Sequence, residues 1–423
     1  MDIKQLCTVM ESHKDELFEL LCKLINVNSE NHITSGNEEN ISRLLEKMCI
    51  ELGLETDVFS PLEIQHFEEH PDYFPGRNLE NRLNVVARWK GSHDTDALML
   101  MAHVDTVEIG DKANWHSDPL QGIIKDGKIF GRGACDDKYA IATILFVIKI
   151  LKQHGFVPKS NLLFAGYCDE EYGGSHGALS CVLKYPCDNI VSMDGKDGEI
   201  WHCGSGGQEA EYVFHTLKPT DSAGITAKAI PVIMQVIDSF AANRRKELEA
   251  NKFYKNTIIA STSLRYMDIH AGNNGSDLGV GKVKFVYYTD KTKEEIYAEF
   301  AQLEKTLAEK LAPLGIVGDG FVPATRFFHY VHCEPDSENI KVMLECARET
   351  TGKEPIVCGS CLSDLSVISK YGSSLAFGFG AGRDFSQEGG AHQPNEFIEC
   401  DKLIDYAKTI AAYIIKTNTA EAR

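Results

Sequence analysis

The stretch ALMLMAHVDT, residues 97–106, decides the fold. Its apolar run, Ala97 to Leu100, reads as a strand buried on both faces, the habit of parallel sheets. His103 and Asp105 emerge together where that strand should end. In open α/β sheets, ligands bind just beyond the carboxyl ends of the strands. Three later runs end in the same way. NLLFAGYC (161–168) runs into Asp169-Glu170-Glu171, and NIVSM (189–193) runs into Asp194. SLAFGFG (374–380) leads through a glycine-rich loop to His392. Between the first two lies GRGACDDK, residues 131–138. Two imidazoles and several carboxylates, each placed after a strand, are what a metal hydrolase needs.

Taken singly, each signal has a plainer reading. A lone His-x-Asp is more often a hydrogen-bonded loop histidine. Adjacent acids such as Glu170-Glu171 are usually a solvated turn. Asp136-Asp137 alone reads as a helix N-cap, since Lys138 onward is helical. Asp194-Gly195 alone reads as a turn. The joint pattern shifts the balance, because several acids and imidazoles at neighbouring strand ends would be costly to bury unpaired. Metal cations would relieve that electrostatic problem at once.

Outside this region the chain reads as an ordinary globular protein. It has 423 residues, 43% apolar and 25% charged, enough for two domains. A formal net charge of −19 argues against nucleic-acid and anionic-membrane partners. The 13 cysteines are scattered, as expected of reduced thiols in a cytoplasmic protein. The start, MDIKQLCTVMESHKDEL, is charged and helical, so no signal peptide is expected. The longest apolar run, Ala140 to Leu151, contains Lys149 and is too short to span a bilayer.

Leu17, Phe18, Leu20, Leu21, Leu24 and Ile25 predict one amphipathic helix. Ile41, Leu44, Leu45, Met48 and Leu52 predict a second, after a polar loop at 28–40. HFEEHPDYFPGRN (66–78) reads as a surface excursion, and NVVARW (84–89) as a strand. A different texture begins near Gly204. Strands at 209–216, 257–267 and 282–289 and helices at 223–240 and 293–311 give a β-α-β-β-α order without a metal-ligand cluster. The expected fold is therefore α/β: a catalytic domain with a mixed, mostly parallel sheet flanked by helices, plus a smaller inserted α+β domain. The boundaries are 1–204 and 319–423 for the catalytic domain and 205–318 for the insert. Helices at 337–350, 363–371 and 401–416 should flank the strand at 374–380.

GRGACDDK, YCDEEYGGS, SMDG and GAHQPNEFI, following MAHVDTV, resemble the dinuclear zinc metallopeptidases and deacylases of the M20 type. That class includes acetylornithine deacetylase, succinyl-diaminopimelate desuccinylase, aminoacylase and carboxypeptidase G. The resemblance implies two zinc ions per subunit, with cobalt or manganese able to substitute, and Asp136 bridging them. It implies that His103 and Asp194 complete one site, and that Glu171 and His392 complete the other. Asp105 would sit behind His103 and hold its ring in one tautomer. Glu170 would be the general base toward water, and the Asp136-Asp137 peptide would be cis. The insert would act as a lid and as the contact of a homodimer.

The insert departs from the family's pattern. Relatives often carry an Asp-x-Arg whose arginine binds a substrate carboxylate; here the strand reads FVYYTD (285–290). Arg265 or Arg383 could replace that cation, and Asn273 and Asn274 could supply neutral donors. His215 is the candidate for the histidine that relatives present to the reacting carbonyl. The cysteine pair in CGSC (358–361) more closely resembles a substrate-facing loop than a redox motif. Gly378, Gly380, Gly382, Gly389 and Gly390 would let backbone approach substrate. The expected activity is hydrolysis of the amide bond of an N-acyl amino acid, a small-molecule substrate. The alternative is a dipeptidase or carboxypeptidase on short peptides. Two rivals are a non-catalytic relative, which would have lost Glu170 or a ligand, and an amidase using Cys135 or Cys361 as nucleophile.

Overall fold

The computed structural model describes residues 2–217, 222–254, 262–272 and 279–419. It divides into two units, one of residues 1–202, 332–358 and 367–423, the other of 203–331 and 359–366. In chain order the first unit holds α1 (Ile3–Ser12), α2 (Lys14–Ile25) and α3 (Glu39–Glu51). Strands β1 (Glu55–Phe59), β2 (Asn84–Trp89) and β3 (His93–His103) follow, then the short pair β4 (Ile123–Lys125) and β5 (Lys128–Phe130). Next come α4 (Lys138–Gln153), β6 (Ser160–Tyr167), α5 (His176–Lys184), β7 (Ile190–Ser192) and β8 (Glu199–Gly204). The second unit contributes β9 (Gly206–Thr216), α6 (Ser222–Ala250), β10 (Leu264–Ala271), β11 (Val280–Thr289), α7 (Lys293–Leu311) and β12 (Ile316–Pro323). The chain then returns to the first unit with α8 (Glu338–Thr351), β13 (Phe377–Phe379), β14 (Phe397–Glu399) and α9 (Cys400–Thr419). The helix expected at 363–371 is only a turn, Leu365–Val367, that runs on as a π turn, Ile368–Gly372.

The main sheet runs β1-β2-β6-β3-β7-β13-β8. Its centre is parallel: β6 pairs β3, β3 pairs β7, and β13 pairs β7, all in the same direction. The flanking pairs are antiparallel, β1 with β2 and β2 with β6 on one side and β13 with β8 on the other. This mixed sheet flanked by helices is the α/β architecture expected of the catalytic part. Register explains the alignment of the strand ends. Met101 stands opposite both Ala165 and Ser192, and His103 opposite Tyr167. The residues after β3, β6 and β7 therefore leave the sheet side by side. Leu98 to Ala102 are at most 1% exposed, as a two-faced strand requires. Helix α4 is buried at every position from Lys138 to Ile148, so its apolar run is a core helix.

Two polar loops, one of them expected as a surface excursion, are exposed over much of their length but also turn charged side chains inward. In 66–78, Phe67, Asp72 and Arg77 are buried. In 28–40, Ser29, Glu30, Asn31 and Glu38 are buried. Their composition is polar because they carry paired charges inward.

The second unit is a four-stranded sheet, β10-β11-β9-β12, with α6 and α7 packed on it. It runs past the expected end at 318, because β12 pairs with β9 through Pro323. Helix α6 is long and apolar enough by composition to cross a membrane. Yet its Ala229, Ile233, Ile237 and Phe240 belong to the buried cluster under this sheet. The strand expected at 257–267 begins at Leu264; positions 257–261 lie outside the described residues.

Candidate metal centre

Each candidate ligand is delivered by the end of a regular element. His103 is the last residue of β3 and is completely buried. Its Nδ1 lies 2.9 Å from the backbone carbonyl of Asp105. In the neutral ring the proton therefore sits on Nδ1, and the Nε2 lone pair points at Asp136 Oδ1, 3.0 Å away. An acceptor facing an acceptor at that distance needs a proton or a cation between them. The same holds on the other side of Asp136. His392 Nε2 lies 3.1 Å from Asp136 Oδ2 and 3.1 Å from Glu171 Oε2. One carboxylate is thus flanked by two imidazoles, one on each oxygen. Ligand atoms of His103, Asp136 and Glu171 all lie within 4.8 Å of one another. Mixed imidazole and carboxylate donors at these separations fit divalent cations.

The electrostatics agree. The negative charge of Glu171, helped by hydrogen bonds to Asp136 and Glu171, raises the His392 pKa to about 12. Burial works against a charged His103, but Asp136 and Glu170 outweigh it and raise that ring well above its usual value. Burial raises Asp136, but the two imidazoles more than offset this and hold it below the carboxylate range. The cluster carries excess negative potential and takes up positive charge.

Asp194 follows β7, and the Met193 amide donates to the Met101 carbonyl at 2.8 Å, so Asp194 leaves the sheet next to the end of β3. The Asp136-Asp137 peptide is cis. Asp137 stands at the N-cap position of α4, but its side chain makes no capping hydrogen bond; its Oδ2 accepts the His103 amide at 3.3 Å.

Asp105 differs from expectation in detail. Its carbonyl, not its carboxylate, holds the His103 ring; the carboxylate stands 3.7 Å off. The carboxylate instead accepts the amides of Glu170 (3.1 Å) and Glu171 (3.0 Å) and the side chain of Asn31 (2.9 Å). Asp105 thus organises the turn that bears both glutamates. Glu171 is buried, and its Oε1 accepts the Val107 amide at 3.0 Å, which turns Oε2 toward His392. Glu170 is only partly buried.

The loop bearing His392 is tied to the loop bearing Asp136 by a buried ion pair, Arg132 to Glu396 at 2.6 Å. Glu396 also accepts the Cys135 amide at 2.9 Å. The glycines near this loop meet protein. A Cβ on Gly380 would lie 2.3 Å from the Gly195 carbonyl, so two chain segments touch back to back beside Asp194.

Sequence reasoning missed the polar network behind Glu170. Asp169 Oδ1 receives Arg77 at 2.7 Å and Arg82 at 2.8 Å, and its Oδ2 lies 2.5 Å from His176 Nδ1. Arg82 also binds Glu38. Burial alone would raise Asp169; His176 and the two guanidiniums hold it below the carboxylate range. No periodicity announces these residues, since they lie in loops or, for His176, at the first position of α5.

The substrate candidates fall in both units. His215 lies on β9 of the second unit, 2.9 Å from Asp319, and Arg265 is exposed on β10 of that unit. Arg383, in the first unit, pairs with Glu399 at 3.3 Å and packs over Phe397. Asn273 and Asn274 lie outside the described residues. Cys361 is half-buried and in no disulfide, and burial pushes the Cys135 thiol well up, the wrong direction for a nucleophile.

Residues 99–416 match the model of peptidase family M20/M25/M40. The chain is 30% identical, over 96% of its length and 95% of the relative's, to an N-formyl-4-amino-5-aminomethyl-2-methylpyrimidine deformylase of Bacillus subtilis. Its fold is similar to that of the dipeptidase Dug1p of Saccharomyces cerevisiae, with a TM-score of 0.75, 15% identity, and 100% of this chain and 99% of that one covered. A dinuclear metal binding peptidase of the M20 family from Bacillus subtilis gives a TM-score of 0.59 at 15% identity, over 96% of this chain and 99% of that one.

Proposed function

The chain belongs to peptidase family M20/M25/M40 and is a metallohydrolase; from that premise we propose that it cleaves the amide bond of an N-acyl amino acid. Asp136 would be the ligand common to two divalent cations, zinc for preference, with cobalt or manganese as substitutes. His103 and Asp194 would complete one site, and Glu171 and His392 the other. Such cations polarise a carbonyl oxygen and lower the pKa of water to about 7. Glu170 accepts the proton of the attacking water and returns it to the leaving nitrogen, without which C–N cleavage stalls. The observation that carries this reading is the Asp136 carboxylate, 3.0 Å from His103 on one oxygen and 3.1 Å from His392 on the other.

The test is a screen of purified, zinc-loaded protein against N-acyl amino acids, dipeptides and N-formyl aminomethylpyrimidines, with chelated protein as control. Turnover of acyl amino acids that chelation abolishes is the expected result. Chelator-insensitive turnover would end the metal assignment.

A second reading is cleavage of a formyl amide on an amine that lacks a carboxylate. Two observations favour it: the full-length similarity to a protein named for that reaction, and the pairing of Arg383 with Glu399. The same screen separates the two, because the second requires no carboxylate on the substrate.

The proposal extends to assembly and location. The second unit's sheet ends in β10 and β12, and edge strands are ready templates for pairing. A homodimer through that unit is the expected assembly; a fully active monomer by light scattering would contradict it. Thirteen free cysteines go with a reducing, cytoplasmic setting.

A further inference from the structure

The turn between β6 and α5 carries both glutamates, yet its backbone is not at ease. Asp169, Tyr172 and Ser175 all have φ near +60°, at 60°, 59° and 61°. That region is disfavoured for any residue that carries a side chain. The turn therefore holds its shape through contacts from elsewhere in the chain.

Those contacts converge on one side chain. Arg77 Nη1 donates to Asp169 Oδ1 at 2.7 Å, just before Glu170. Its Nη2 donates to the carbonyls of Glu171 (3.2 Å) and Tyr172 (2.5 Å), just after Glu170. One planar guanidinium thus spans the general-base position from both sides. Its remaining contacts, Asn31 Oδ1 at 3.5 Å and the Ile33 carbonyl at 3.4 Å, lie in one neighbouring loop. Asn31 is itself part of the turn's support, donating to Asp105 and to the Glu171 carbonyl. Arg82, the other guanidinium on Asp169, turns to Glu38 and, among the described residues, makes no hydrogen bond to the backbone of the turn. Arg77 is the arginine whose partners follow the glutamates.

We infer that Arg77 is a positioning residue: it fixes the direction in which Glu170 and Glu171 leave the turn, and so their separate tasks. This rests on the reading of Glu170 as proton acceptor and Glu171 as metal ligand. A lysine cannot replace it, because one ammonium cannot reach a carboxylate and two carbonyls in a flat fork. Displacing a reacting group by about 1 Å costs on the order of 100-fold in rate.

The test uses the full chain with Arg77→Lys and Arg77→Gln. It reads kcat and KM, zinc content at saturating zinc, the thermal midpoint, and amide hydrogen exchange of peptides covering 162–167 and 169–175. For Arg77→Lys, kcat should fall about 100-fold with KM within about threefold. Zinc content should be unchanged. Exchange should quicken in 169–175 and stay the same in 162–167. Near-normal kcat with unchanged exchange would overturn the proposal. So would exchange that rises throughout the first unit, or failure of both variants to fold, since either makes Arg77 a residue of the fold alone. If the wild type cleaves no amide, the functional reading fails, while the exchange comparison still decides the role of Arg77.

Discussion

Asp136 Oδ2 lies 3.1 Å from His392 Nε2, while its other oxygen faces His103. A carboxylate so placed serves both sides of the centre, whereas each histidine serves one. Replacing His392 by Ala is therefore expected to remove about one equivalent of zinc and leave the other. Asp136→Asn is expected to weaken both. Elemental analysis of dialysed protein measures this directly. Equal stoichiometry in the wild type and in Asp136→Asn would refute the shared ligand.

Arg132 and Glu396 are buried at 3% and 0% side-chain exposure. Burial raises Glu396 even with its partner present. Arg132→Met leaves that acid unpaired and is expected to cost about 3–5 kcal/mol in urea unfolding. Adding Glu396→Gln removes the charge and keeps an acceptor for the Cys135 amide. The double variant should recover a large part of the loss. Additive losses would mean that the pair is not coupled.

Much of this site was legible because ligands follow strands. The runs ending at Leu100, Cys168 and Met193 are short and apolar, and the reactive residues stand one to five positions beyond them. Burial of paired charge leaves no such trace. Arg77, Arg82, Glu38 and Asn31 sit in segments whose polarity reads as solvent exposure. Only the fold shows that Arg77, Arg82 and Asn31 meet Asp169, about 90 to 140 residues away in sequence, and that Glu38 pairs with Arg82. The roles of Arg265 and Arg383 were guessed from charge alone. Arg383 illustrates the weakness: an arginine near a site is as easily absorbed by a neighbouring acid, here Glu399.

His70 provides a pH test in the segment 66–78. Its Nδ1 accepts the Asp72 amide at 3.2 Å, which requires an unprotonated nitrogen, and its ring packs edge-on against Tyr371. Burial lowers its pKa, with Asp72 opposing and Lys370 assisting. The folded value is depressed, so as pH falls below about 6.5 the unfolded chain takes the proton first. Stability from this group is full above that pH and is lost as pH falls toward the folded value. The thermal midpoint of the wild type should therefore drop more between about pH 7.5 and 5 than that of His70→Gln. Parallel curves would show that His70 does not titrate between the two states.

Glu170 and Glu171 are adjacent and differently held, and this difference can be separated by experiment. Glu171 is 3% exposed, with one oxygen on the Val107 amide and the other toward His392. Its geometry suits a fixed ligand that cannot readily exchange protons. Glu170 is partly exposed, and its amide is anchored to Asp105. On the proposed reading its carboxyl accepts a proton from water and returns it to the leaving nitrogen. Gln conserves volume and removes only this basicity. Glu170→Gln is therefore expected to retain full zinc and lose kcat by at least ~100-fold, with KM little changed. Glu171→Gln should instead lower zinc affinity, and excess zinc should restore part of its rate. A Glu170→Gln enzyme with full zinc and near-normal kcat would show that another group moves the proton.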